Sequence, residues 1–460
     1  MENLKENKMG VLPIPKVMLS MGLPMIVSMM VQAFYNIVDS YFVSRISDTA
    51  EISDMGDKAV NALTLSYPVQ LLIIAIGVGT GVGINSILSR SLGAGNRERA
   101  SKIAGNAVFL GACTYVVFLI FGIFGTEIFL RTQTKESEII SLGTDYLKIC
   151  SVFSFGAVGS MIYEKLLQGT GRTLHSTIAQ LSGAIINIIL DPILIFGYLG
   201  FPEMRVKGAA YATVIGQVVT LCVSMLFHYK FNKEIDGSIK FMKPEKSVIS
   251  AIYRVGVPAI LMQALMSIMT YGINIIFGMV SAFAVTAYGV YYKIQQFVFF
   301  SAFGMNNAII PIVSFNYGMK SRQRVMEAIK WGIIYTLILM LIGELGLQIF
   351  AAPLSKVFAL SEESCQLFIK AIRIVTFGYL FAGFNIACQG ILQALGSGVK
   401  SLIISFIRLI AAVFPLAYLF TFFANAEDLI WLSIPAAEVI GTIVAVIFLK
   451  RVKRLYEILF

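Results

Sequence analysis

The 460-residue chain is 57% hydrophobic and 13% charged, with a mean hydropathy of +0.80, whereas a soluble domain carries about 25% charged residues. That excludes an ordinary soluble domain and predicts an all-α integral membrane protein. The net charge of +10 reads as a topology signal and not as a nucleic-acid patch, because Lys and Arg gather in short segments between apolar runs.

A bilayer core of about 30 Å is crossed by about 20 helical residues, and apolar runs of that length predict twelve spans. The first six are Val17–Ser44, Val60–Ser89, Ile103–Phe129, Leu142–Leu166, Thr177–Leu199 and Gly208–Tyr229. The second six are Val248–Val280, Phe283–Val313, Val325–Phe350, Cys365–Leu392, Ser401–Phe423 and Ile430–Leu449. The sixteen residues ahead of the predicted first span are polar and mixed in charge, with no short apolar region followed by a cleavage site, so the first span is expected to stay in the mature protein.

That first span carries Gln32, Tyr35, Asn36 and Asp39 at i, i+3, i+4 and i+7, which places all four on one helical face. A carboxylate at membrane depth costs at least a few kcal/mol and is kept where it faces a bundle interior or a water-filled cavity. Asp39 is therefore the first functional candidate; the blander alternative is a carboxylate reaching interfacial water near a helix end. In the second span the GVGTGVG stretch, Gly77–Gly83, sits inside an apolar run and not after a strand, so it reads as close helix packing and not as a nucleotide loop.

The basic segments Lys5–Lys16, Arg90–Lys102, Lys165–Arg172, Lys230–Arg254, Lys320–Lys330, Lys400 and Lys450–Arg454 alternate with outer loops bearing only Arg45, Lys58, Arg131, Lys135, Arg205, Lys207 and Lys356. The positive-inside rule then puts both termini in the cytoplasm, in an inner or plasma membrane. The loops Arg90–Lys102 and Met319–Lys330 fix topology, and in a sharper reading also latch the two halves together by charge pairs. The five cysteines, Cys113, Cys150, Cys222, Cys365 and Cys388, show no metal-ligand spacing and read as small apolar residues. His175 and His228 are isolated, so a histidine metal site is not expected, and no cofactor is implied.

The fifth span, QLSGAIINIILDP, sets Gln180, Asn187 and Asp191 on one face, with Asn187 and Asp191 neighbours at i, i+4. Pro192 follows and withholds a backbone donor, so a break there would expose a carbonyl to a hard cation. The sixth span adds Thr213, Gln217 and Thr220. Carboxylates, an amide and a hydroxyl suit Na⁺ or a proton and not zinc. Asp39 and Asp191 would be a coupling device; the plainer reading has Asn187 and Asp191 satisfying each other as helix packing.

At an offset of 225 residues the chain repeats itself. LGAGNRERA (Leu92–Ala100) meets YGMKSRQRV (Tyr317–Val325), LLQGTG (Leu166–Gly171) meets ILQALG (Ile391–Gly396), and ATVIGQVV (Ala212–Val219) meets AEVIGTIV (Ala437–Val444). GLP at Gly22–Pro24 meets GVP at Gly256–Pro258 once the acidic insertion Ser47–Lys58 is allowed for. Two six-helix lobes related by an internal pseudo-twofold axis along the membrane normal follow, spanning residues 1–229 and 248–460 with a cytoplasmic linker at 230–247. A central cleft between such lobes suits alternating access.

The second lobe has no acid at the positions matching Asp39 or Asp191. It offers Gln263, Asn274, Tyr288, Tyr292 and Gln295 to a ligand, while Lys293, Glu344, Arg408 and Glu438 are buried or interfacial charges whose partners stay open. Twenty Met and 34 Phe allow an adaptable cavity for amphipathic organic cations.

With GLPMIVSMMVQAFYNIVDSYFVS, the paired SLGAGNRERA and NYGMKSRQRV loops, LLQGTGRT with ILQALGSG, and NIILDP, the chain resembles the multidrug and toxic compound extrusion (MATE) family over essentially its whole length. The resemblance implies an antiporter, not an enzyme, that expels amphipathic, mostly cationic compounds against a Na⁺ or H⁺ gradient. Carried over by motif, Asp39, Asn187, Asp191 and Thr213 would hold the coupling cation, with Na⁺ at Asp39, Asn187 and Asp191, and Pro24 would be a bending point. The acidic ligands that the NorM type places in its seventh and tenth spans are missing, which favours the DinF-like branch. Membrane lipid and small amphipathic cations are the expected partners of a functional monomer. The rival readings are a lipid-linked saccharide flippase of the same architecture, which would need a cationic cleft, and a non-transporting receptor or scaffold.

Overall fold

The computed structural model describes residues 7–47, 54–357 and 362–459; the side chains of Asn36, Lys356, Val357 and residues 453–459 are not described. Lys5, residues 48–53 of the acidic insertion, and the Asn36 side chain expected in the cavity therefore lie outside the described residues.

The first lobe is built from α1 (Lys8–Val11), α2 (Ile14–Ser44), α3 (Met55–Gly93), α4 (Arg97–Phe124), α5 (Thr126–Gln133), α6 (Ser137–Val152), α7 (Phe155–Gly169), α8 (Thr173–Phe196) and α9 (Arg205–Phe231). The second contains α10 (Lys246–Gly278), α11 (Ala282–Gly318), α12 (Arg322–Val357), α13 (Glu362–Val375), α14 (Tyr379–Ala394), α15 (Gly398–Phe406), α16 (Val413–Phe420), α17 (Ala426–Leu429) and α18 (Ser433–Leu459). Eleven helical stretches among the described residues are long and apolar enough to cross a bilayer, and twelve crossings result when α6 and α7, bent by 44°, are taken as one broken span. The expected all-helical, twelve-span architecture stands.

Neither of the two expected bending prolines ends its helix: α2 runs through Pro24 and α8 runs through Pro192 to a left-handed cap at Gly197. Pro192 withholds the amide that would bond the Ile188 carbonyl, so that acceptor is freed without a break in the span. The Pro24 carbonyl takes a hydrogen bond from Thr177 Oγ1 at 2.9 Å, which ties α2 to α8.

The internal repeat is visible atom by atom. Ser89 Oγ donates to the Gly169 carbonyl at 2.8 Å, and its repeat partner Ser314 donates to the Ala394 carbonyl at 3.0 Å. The amide of Arg172 bonds the Leu167 carbonyl as that of Ser397 bonds Leu392. At the seam between lobes a Cβ on Gly93 would lie 1.9 Å from the Phe315 carbonyl oxygen, and one on Gly318 would lie 2.1 Å from that of Arg90. Gly93 and Gly318 are repeat partners, as are Arg90 and Phe315, so this reciprocal contact straddles the pseudo-twofold axis. No side chain fits there, which is why both positions are glycine.

The described contacts between lobes lie toward the end that carries the two basic loops. Ser86 Oγ donates to the Gln393 carbonyl at 2.9 Å, Lys165 Nζ reaches Asn307 Oδ1 at 3.1 Å, and Arg90 bonds the Ala394 carbonyl at 3.2 Å while stacking on Tyr317. Arginines thus join the lobes through carbonyls and a ring. Lys165, grouped with the cytoplasmic cations in the sequence reading, is buried and hydrogen-bonded to Gln168. The α1 turn bridges the same seam. Asn7 donates to the Thr170 carbonyl of one lobe at 3.2 Å, while Asn316 and Arg324 of the other hold the Met9 carbonyl at 3.1 and 2.9 Å. The segment between lobes packs on α4, where Asn106 holds the Phe241 and Lys243 carbonyls and the Glu245 amide.

Candidate functional site

Helices α8 and α9 approach closely because small residues face each other. A Cβ on Gly183 would lie 1.9 Å from Thr220 Oγ1 and 2.4 Å from the Gly216 carbonyl. Farther along, Gly216 packs on Asn187 and Gly208 on the Leu194 carbonyl. Thr213 lies between those two contacts, one turn from Gly216, and so stands at the level of Asp191.

Asp191 is fully buried and Asn187 nearly so. The Asn187 amide nitrogen donates to Asp191 Oδ1 at 3.4 Å, a long bond. Three oxygens then remain buried without a hydrogen-bond donor among the described residues: Asp39 Oδ1, Asn187 Oδ1 and Asp191 Oδ2. The Asp39 charge is felt at Asp191, so α2 brings its carboxylate to the α8 pair. Buried acceptors are rarely left unpaired, and an unpaired carboxylate oxygen is the costliest kind. This concentration of orphan acceptors is what a small hard cation or a proton satisfies. Among the described residues no group of three or more His, Cys, Asp or Glu could hold a metal ion, so any ligand set here draws on amide and hydroxyl oxygens.

Around these carboxylates stand groups that do not share their helical faces. Gln70 on α3 donates to the Tyr146 hydroxyl at 3.0 Å, joining α3 to α6. Cys150, read from sequence as a small apolar residue, lies beside Tyr146 within reach of the Asp39 charge. Tyr35 is half-buried and electrostatically close to Asp39, Tyr67 and Asp191. Only the apolar-to-polar switch at Tyr67 and Gln70 inside the second span could have signalled these groups. Gln32, Gln180 and Gln217 are half-buried on α2, α8 and α9.

In the second lobe the structure brings together two charges whose partners sequence left open. Arg408 Nη1 donates to Glu438 Oε1 at 2.6 Å, and both residues are buried. Asn385 Nδ2 donates to Glu438 Oε2 at 2.8 Å, and Thr442 Oγ1 donates to Asn385 Oδ1 at 3.2 Å. Arg408 sits in a wide π turn, Ile407–Ala411, between α15 and α16, the kind of helical irregularity often found at functional sites. This pair borders a cavity of about 40 Å³ lined also by Tyr291, Tyr292, Gln295 and Tyr379. Of the expected cavity residues of this lobe, Tyr292 and Gln295 line it; Gln263, Asn274 and Tyr288 do not, Tyr288 being fully buried in the aromatic core. Lys293 is exposed; Glu344 on α12 is buried and does not line the cavity, but it lies within electrostatic reach of Tyr379, which does.

Removing one partner of a buried ion pair strands the other, at about 3–5 kcal/mol, whereas replacing both by apolar groups is often neutral. Arg408→Met is therefore expected to lower the thermal midpoint in detergent markedly, and Arg408→Met combined with Glu438→Leu to restore most of the loss. Equal melting of the single variant and the parent protein would contradict the pairing.

The comparisons with known proteins agree with this architecture. The MatE family profile matches residues 24–193 and 258–419, one segment in each lobe. The chain is 26% identical over 451 residues to the multidrug export protein MepA of Staphylococcus aureus strain NCTC 8325, covering 95% of this chain and 94% of that protein. It is 24% identical over 441 residues to MepA of strain MSSA476, with the same coverage. Among solved structures it is similar to a MATE protein in the straight conformation, with TM-score 0.90 at 24% identity over 98% of this chain and 99% of that one. It is also similar to an outward-facing multidrug resistance MATE transporter of the MOP superfamily, with TM-score 0.89 at 24% identity over 96% and 97% of the two chains. With the profile matched across most of both lobes, the chain belongs to the MatE family of membrane transporters.

Proposed function

We propose that this transporter exports amphipathic, mostly cationic organic compounds in exchange for Na⁺ or H⁺, by alternating access of its two lobes. The observation that carries the reading is the set of orphan oxygens on Asp39, Asn187 and Asp191, together in the first lobe. Thr213, at the level of Asp191, completes the candidate cation site. The resemblance to proteins called multidrug export proteins supports the substrate class. Basic-loop placement orients both termini to the cytoplasm of an inner or plasma membrane, so the packed end of the lobe seam is cytoplasmic and the form described is outward-facing. The lack of acid in the second-lobe positions supports the DinF-like branch, and a single chain contains both lobes that a functional monomer needs.

Binding of the coupling ion draws α2 toward α8, with Pro24 as the bending point, and so competes with the drug. By linkage, drug binding weakens the ion in equal measure, which makes exchange possible. The flippase alternative fits less well: of the two cations it would need, Arg408 is already committed to Glu438, which leaves Lys293 of that pair for pyrophosphate.

Proteoliposomes holding a fluorescent organic cation, given an opposing Na⁺ or H⁺ gradient, are expected to move the dye under one gradient and not the other. Dye that stays in place under both gradients would overturn the proposal.

A further inference from the structure

The second lobe's cavity has a different chemistry from the first lobe's carboxylates. Repeat alignment puts Arg408 on Gly183 and Glu438 on Thr213, so neither charge belongs to the shared framework. The Glu438 carboxylate is already held on both oxygens, one by Arg408 and one by Asn385. It has no oxygen left over for an incoming cation of the kind the first lobe would bind.

The groups left over in this cavity can donate. Arg408 Nε is buried without a hydrogen-bond partner among the described residues, and so are the hydroxyls of Tyr291 and Tyr379. The two hydroxyls face each other in a loose pair, so at least one of their O–H groups is left for a third group. All three residues line the same cavity, whose room of about 40 Å³ is that of one small polar group. Met266, Met269 and Phe299 complete an apolar wall that can repack around an aromatic ring. The Arg408–Glu438 pair cancels its own charge, and the nearby Glu344 acts on Tyr379 without lining the cavity, so an added anion would be buried without a counterion, and an added ammonium would meet donors at the lining.

We propose that this cavity binds the uncharged carbonyl or amide oxygen of an aromatic ligand, which accepts from Arg408 Nε–H and from a hydroxyl of the Tyr291–Tyr379 pair. In transport, and resting on the export reading above, the first lobe takes the cationic end or the coupling ion while the second lobe selects ligands by an acceptor oxygen.

Equilibrium dialysis of the full-length, detergent-solubilised protein against 2-naphthamide, 2-naphthoate and 2-naphthylmethylammonium tests this without a gradient. Naphthamide is expected to bind saturably and at least about tenfold more tightly than either charged isostere. Losing one hydrogen bond of about 1 kcal/mol weakens binding roughly fivefold, the effect expected of at least one of Tyr379→Phe and Tyr291→Phe. The Arg408→Met and Glu438→Leu double variant keeps the protein folded by replacing both charges, and should weaken naphthamide further. Tighter binding of the ammonium or of the carboxylate, no saturable naphthamide binding, or unchanged binding in both phenylalanine variants would each overturn the assignment. Because no gradient is present, a failure here leaves coupled export standing, and a failure of dye movement in vesicles leaves this site standing.

Discussion

Asp39→Asn is expected to abolish gradient-driven dye export in proteoliposomes, with Asp191→Asn close behind. The amide keeps the shape of the carboxylate but removes its charge and one acceptor, and at Asp39 the orphan oxygen is the one at stake. Interactions with a charged group are worth about 1.5–3 kcal/mol, and each 1.36 kcal/mol is a factor of ten, so ion affinity should fall by about ten- to a hundredfold. The second lobe cannot compensate, since repeat alignment puts Ala412 and Leu416 where the first lobe has Asn187 and Asp191. Thr213→Val, which removes a neutral hydroxyl, should have the smaller effect. Gel filtration and a thermal melt would show that the asparagine variants fold, because neither substitution changes side-chain volume. Undiminished coupled export by a folded Asp39→Asn protein would remove this site from the mechanism.

What sequence made legible was whatever depends on spacing along one helix or on the repeat. Apolar length gave the spans, helical periodicity put Asn187 beside Asp191, and the offset repeat put Gly93 in register with Gly318, the two glycines that meet the opposite lobe at the seam. Partnerships between helices were not legible, because hydrophobic spans of similar composition pack in many ways. Gln70 meeting Tyr146 and Arg408 meeting Glu438 depend on how α3 packs on α6 and on how the helix bearing Arg408 packs on α18. Lys165 misled for the same reason: its place near a span end suggests cytoplasm, yet Gln168 and Asn307 draw it into the seam. The break between α6 and α7 falls at Phe153 and Ser154, with no proline and no glycine at the turn itself to announce it.

Gly93→Val is expected to open the packed end of the lobe seam and to stall export while leaving the candidate ion site untouched. The added Cβ would sit 1.9 Å from a backbone oxygen on the opposite lobe, where no rotamer can relieve it. Overpacking of this kind costs about 1–3 kcal/mol, and about 2 kcal/mol shifts a two-state equilibrium roughly thirtyfold. Since the clash exists only when the lobes meet at this end, the cost falls on one conformer and so changes populations instead of only stability. Ser86, fully buried and bonded across the seam to Gln393, reports the change. In a background without the five native cysteines, Ser86→Cys should react slowly with a membrane-impermeant thiol reagent supplied from the basic-loop side. Adding Gly93→Val should speed that reaction by roughly the same factor of thirty. Its repeat partner Gly318→Val meets the Arg90 carbonyl at 2.1 Å and should act in the same direction. Because both glycines press on one axis, the double variant should add less than the sum of the two. Slow labelling and full export in both single variants would mean that this contact does not close the transporter.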